Sequence, residues 1–157
     1  MAVGLVVGPI AFGLAGEPTS APEPKDDPRL HVLENFFASR HCPVRKFAAD
    51  FLAAADQNRL DWRLLPSISF VETGGGKKAG DGNNLFGWNS GKHRFSSAKA
   101  AIYTIADKLG QSKLYKNKDT SGILQTYNKH PEWRERVKRV MRAIGTAEIP
   151  TTVAALN

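Results

Sequence analysis

One cysteine in 157 residues, Cys42, excludes an intrachain disulfide and any multi-cysteine zinc site. No histidine and aspartate constellation accompanies it, so it reads as a small packing residue and not as a nucleophile. The four histidines, His31, His41, His93 and His130, lack metal-ligand spacing on one helix, and no nucleotide or phosphate loop occurs. Neither a metal nor a cofactor is therefore expected. There is no internal repeat. No apolar run reaches the roughly 20 residues that a membrane-spanning helix takes, so no stable transmembrane span is expected. The apolar stretch 1–16 lacks a positively charged start, yet Gly13-Leu14-Ala15 has the small-x-small form of a signal-peptidase site. Residues 1–16 are thus expected to be a signal peptide or a short apolar leader, with export to the periplasm or the medium.

What is present suits one folded domain. Hydrophobic residues make up 41% of the chain, enough for a core. Residues 17–29 read as a Pro-rich polar linker, 30–145 as the globular domain and 146–157 as a loose tail. The net charge is +7. Residues 1–29 hold two basic and four acidic side chains, so the remainder carries 20 basic against 11 acidic, or +9. Such a surface favours polyanions. The basic residues form no recognisable nucleic-acid reader motif, which leaves an anionic envelope polymer as the better partner.

Hydrophobic spacing predicts a mainly α fold. Leu30, Leu33 and Phe37 mark a short first helix, and Phe47, Phe51, Leu52 and Ala55 a second from Val44 to about Asn58. A third, capped at Asp61 or started near Pro66, places Leu65, Ile68 and Glu72 on one face. Glycines and asparagines from Lys77 to Arg94 predict an irregular lobe, with room for one small β-hairpin around Leu85–Trp88 and His93–Phe95. Ser96 or Ser97 caps the next helix, ended by Gly110. Thr120 or Ser121 opens a short one with Ile123, Leu124 and Tyr127 on one side. Pro131 starts the last, with Trp133, Val137, Val140, Met141 and Ile144 inward and Arg134, Arg136, Lys138, Arg139 and Arg142 outward.

The chemistry concentrates in Val71-Glu72-Thr73-Gly74-Gly75-Gly76 and Asn83-Asn84-Leu85-Phe86-Gly87-Trp88. Glu72 ends an apolar helix, where partial burial and the negative end of the helix dipole both favour its protonated form. A carboxyl kept protonated near neutral pH is a general acid, suited to protonating the leaving oxygen of a glycosidic bond. The glycines end the helix and leave room for a bulky ligand. The amides of Asn83 and Asn84 suit acetamido and hydroxyl groups. Phe86 belongs to the same substrate-facing segment and is expected either to contact the sugar or to lie beneath the lobe. Trp88 is the best platform for a sugar ring among Trp88, Tyr103, Tyr115, Tyr127 and Trp133, while Trp133, on a core stripe, reads as structural.

Glu-Thr-Gly-x-Gly followed by Asn-Asn-Leu-Phe-Gly resembles the bacterial glucosaminidase family of cell-wall hydrolases, within the lysozyme superfamily. The resemblance spans roughly Val44 to Gly145. It implies a lysozyme-like helical domain that cuts β-1,4 bonds in peptidoglycan glycan strands, with Glu72 as the acid. Tyr127 is similar in placement to a cleft tyrosine of that family, which implies that it polarises an oxygen or steadies a cationic intermediate. Gly75 stands where an aromatic residue is common. Asp81 is the only carboxylate in the segment after Glu72 and so the nearest second catalytic carboxylate. Without it, substrate assistance by the acetamido oxygen or lytic transglycosylation through the 6-hydroxyl of muramic acid remains open, as does a non-catalytic glycan-binding module.

Overall fold

In the computed structural model, residues 27–145 are described, and the expected leader, most of the expected linker and the tail 146–157 lie outside them. Six α-helices make up the fold, and no strand occurs among the described residues. No helix among them is long and apolar enough to cross a membrane.

Helix α1, Pro28–Ser39, starts two residues before Leu30, inside the expected linker. The local chemistry explains it: Asp27 caps the helix by accepting from the Arg29 backbone N–H, and Pro28 occupies the first turn, where its missing N–H costs nothing. The Arg29 guanidinium also reaches Asp56 at the far end of α2, Ala48–Gln57, at 2.8 and 2.9 Å. Before α2, Pro43–Phe47 forms a 3-10 turn, so the single helix expected from Val44 onward divides in two.

Helix α3, Leu64–Thr73, is the centre of the molecule, with Leu64 through Ser69 all buried. Asp61 does not cap it. Its carboxylate accepts from the Arg63 backbone N–H at 2.9 Å and pairs with the Arg63 guanidinium at 2.6 Å. Gly74, in the left-handed region with φ +65°, ends α3, and the Gly74 and Gly75 N–H groups donate to the Phe70 and Ser69 carbonyls.

The other helices are α4, Ala98–Gln111, capped by Ser97; α5, Thr120–Tyr127, capped by Asp119; and α6, Pro131–Gly145. Gly110 does not end α4, which runs one residue further; its missing side chain instead lets Asn58 pack close, since a β-carbon would stand 2.8 Å from the Asn58 side chain. On α6, Trp133, Val137, Met141 and Ile144 are buried, and α6 packs most extensively on α3, while α2 packs on α4.

The expected hairpin is replaced by turns. Asn83, Gly87, Asn89, Ser90 and Gly91 all have positive φ, which coils the backbone instead of extending it. The Asn84 amide takes the place of a strand partner, donating to both the Trp88 and His93 carbonyls at 3.0 Å and accepting from the Trp88 N–H at 2.9 Å. Leu85 and Phe86 sink this lobe into the core, Phe86 lying edge-on to Phe51 at 6.4 Å.

Candidate active site

Thr73 joins the two sequence segments. Its hydroxyl lies 3.0 Å from the carbonyls of both Ser69 and Leu85 and accepts from the Gly76 N–H. The end of α3 is thereby clamped to the Asn83–Gly87 loop, and the loop is laid across Glu72. A β-carbon at Gly87 would stand 2.5 Å from Glu72 Oε2, and Gly87 also holds φ +60°. Only glycine fits there.

Glu72 is half-buried, and its Oε1 accepts from the Trp133 indole N–H at 2.7 Å. Burial pushes the carboxyl above its ordinary value, opposed by the indole bond and by the Arg136 charge. The indole stacks on the Tyr127 ring, 5.4 Å between centroids and 4° from parallel. Tyr127 donates its hydroxyl to the Phe86 carbonyl at 2.5 Å, and burial, then the neighbouring Glu72 and Tyr115, lifts the phenol well above its ordinary value. Its proton therefore stays in place at any working pH, and its oxygen keeps a lone pair for a polar or cationic neighbour.

These groups open onto a cleft of about 750 Å³ lined by Glu72, Gly87, Trp88, His93, Lys108 and Tyr127, together with Tyr115, Asn128 and the Asn89-Ser90 turn. Trp88 lies 5.7 Å from Tyr127 at a steep tilt, with the Lys108 ammonium 6.0 Å above its ring. A half-buried carboxyl, an aromatic wall and a phenol oxygen can accept a sugar ring and protonate its substituent.

The residues singled out in the sequence separate into two groups. Glu72, Tyr127 and Trp88 come together in the cleft. Asn84 is 5% exposed with its amide bound to backbone, Phe86 is fully buried, and Asn83 donates to the Phe95 carbonyl beside a different pocket. Asp81 is exposed on the 3-10 turn Gly80–Gly82 and does not line the cleft, so Glu72 is the one carboxylate among the residues that do. Gly75, where an aromatic was the alternative, packs on Cys42, whose sulfur would stand 2.7 Å from a β-carbon. Trp133 reads as a core residue in the sequence because it sits on the apolar stripe of α6. The only hint of its second role is that a buried indole N–H needs an acceptor. Among the described residues no cluster of His, Cys, Asp and Glu is arranged to hold a metal.

No family model, no curated protein and no solved structure matches this chain.

Proposed function

We propose that this chain is a cell-wall hydrolase of the glucosaminidase type, exported to act on peptidoglycan, that cleaves β-1,4 glycosidic bonds next to N-acetylglucosamine with Glu72 as general acid. The observation that carries this reading is the half-buried Glu72 carboxyl, raised by burial and open to a cleft walled by Trp88 and Tyr127. In the reaction, Glu72 gives its proton to the glycosidic oxygen as the bond to the anomeric carbon breaks, and a water molecule then adds to that carbon, giving its proton back to the Glu72 carboxylate. The Tyr127 oxygen, its own proton held by the Phe86 carbonyl, turns a lone pair to the developing positive charge. Trp88 stacks on a sugar face. The outward cations of α6, with Arg136, Arg139 and Arg142 exposed, suit an anionic envelope polymer.

A second reading has its own observation. A two-carboxylate mechanism places its acids about 5–9.5 Å apart, and Asp81 is absent from the cleft lining. A lone carboxyl suffices for lytic transglycosylation: Glu72 protonates the leaving oxygen, and the resulting carboxylate takes the proton of the muramic acid 6-hydroxyl as that oxygen attacks the anomeric carbon. Substrate assistance by the acetamido oxygen needs one acid equally.

Mass spectrometry of the fragments that the full chain releases from purified peptidoglycan, with Glu72→Gln run beside it, tests these readings. Reducing N-acetylglucosamine ends from the wild type alone support the glucosaminidase, and anhydromuramic ends the transglycosylase. Wall binding without release would make the cleft a glycan-binding site and overturn both.

A further inference from the structure

The two oxygens of Glu72 have different surroundings. Oε1 faces the Trp133 indole N–H at 2.7 Å, whereas Oε2 faces Gly87, where a β-carbon would come within 2.5 Å. We propose that Trp133 is a positioning residue that sorts these oxygens, holding Oε1 as the acceptor so that the transferable proton resides on Oε2, beside Gly87 at the cleft. The proposal rests on the reading of Glu72 as the general acid.

An indole N–H only donates, and in a neutral carboxyl the carbonyl oxygen is the better acceptor, so the bond to Oε1 leaves the hydroxyl hydrogen to Oε2. A free carboxyl exchanges these roles by rotating. Here rotation is opposed by a closed circuit of contacts. Trp133 stacks on Tyr127, the Tyr127 hydroxyl is tied to the Phe86 carbonyl, and the residue after Phe86 is Gly87, which lies against Oε2. Helices α3, α5 and α6 and the loop each supply one link, so the indole that holds one oxygen and the glycine that flanks the other are set by the same framework. The absent side chain at Gly87 is what leaves Oε2 an approach to the glycosidic oxygen.

Arg136 from α6 and Tyr127 from α5 act on the carboxyl through their charge or polarity, and the other titratable groups that line the cleft with it are Lys108 from α4 and His93 and Tyr115 from the loops. The arginine favours the anion, as does the indole bond, and burial opposes it.

The test is a pH titration of the indole N–H resonances in the 15N-labelled full chain. The Trp133 signal, assigned by its loss in Trp133→Phe, is expected to step as Glu72 ionises, to lose that step in Glu72→Gln and to keep it in His93→Gln. A flat Trp133 signal in the wild type, or a step that survives Glu72→Gln, overturns the proposal. In turnover, Trp133→Phe keeps a ring against Tyr127 but removes the donor. Losing a hydrogen bond to a charged group should move the alkaline limb of kcat/KM upward by about one pH unit while kcat falls about tenfold. A folded variant with an unmoved limb also overturns it. If the wild type releases no sugar, the enzymatic reading fails, and the indole titration still decides whether Trp133 holds the Glu72 carboxyl.

Discussion

Two concavities lie on either side of Tyr115, which lines both. One, of about 750 Å³, holds Glu72; the other, of about 580 Å³, is built around Asn58, Gly110 and the 116–120 loop. Both are lined by lysine and amide side chains, and each holds one polar side chain that decides its character, Asn58 in one and Glu72 in the other. The difference is what those side chains are left to do. Asn58 donates to the Ala54 carbonyl at 3.1 Å and to Asp107 at 2.9 Å, and accepts from Gln111 at 3.2 Å, so its amide serves as a bolt between α2 and α4. Glu72 has one oxygen satisfied and the other against a residue with no side chain. A group with open bonding capacity facing a cleft can do chemistry; one whose partners are all internal holds the fold. The Ser67 and Ser69 hydroxyls, buried in α3 without a partner, mark the limit of that rule, because nothing opens onto them.

The sharpest way to break the contrast is Glu72→Gln. General acid catalysis is typically worth about 10²–10⁴-fold, and turnover should fall by that much in a peptidoglycan release assay with the fold intact by circular dichroism. The same variant reads out stability. A carboxyl whose folded-state pKa is raised contributes stability that is fully present below its unfolded pKa and is lost as pH rises through the folded pKa. Replacing Glu72 with the neutral amide should therefore flatten urea-unfolding stability against pH above the ordinary carboxylate range, and leave the variant the more stable protein at neutral pH.

Gly87→Ala should come next. The added methyl enters the space of Oε2 and sits on left-handed backbone, so turnover should drop steeply along with about 1–3 kcal/mol of stability by urea denaturation. Asn58→Ala inverts that pattern. It should cost about 1–3 kcal/mol through the stranded partners, while kcat of the folded protein stays at the wild-type level. A large loss of kcat there would make the second concavity part of the working site. The smallest effect is expected from Asp81→Asn. With the side chain exposed and outside the cleft, the rate of sugar release should stay within about twofold of wild type, in the range of surface substitutions. A larger fall would bring Asp81 back as a catalytic partner of Glu72.

Much of this molecule is legible in its sequence. The apolar stripe of α6, the serine cap of α4 and the glycines after α3 are local, since each depends on residues within a turn or two of one another, and the helices they mark are found where expected. Glu72 belongs to that set: its place at the end of an apolar helix is enough to anticipate a carboxyl with raised proton affinity. The start of α1 at Pro28 was equally local and rests on the Asp27 cap. Where local signals compete with packing, packing wins, as at Gly110, where the glycine serves the close approach of Asn58 and not a helix stop.

The polarity of the site was decided by the tertiary structure alone. Asn84 and Trp133 exchange their expected parts: the amide is taken up by backbone carbonyls of its own loop, and the indole, 61 positions from Glu72, becomes the partner of the acid. The same folding buries Phe86, leaves Asp81 outside the cleft and puts Gly87 against Oε2. Spacing along one helix tells which residues share a face, and composition tells how much core there is. Which donor meets which acceptor across α3, α5, α6 and the loop depends on how those pieces pack, and that is a property of the whole chain and of no segment within it.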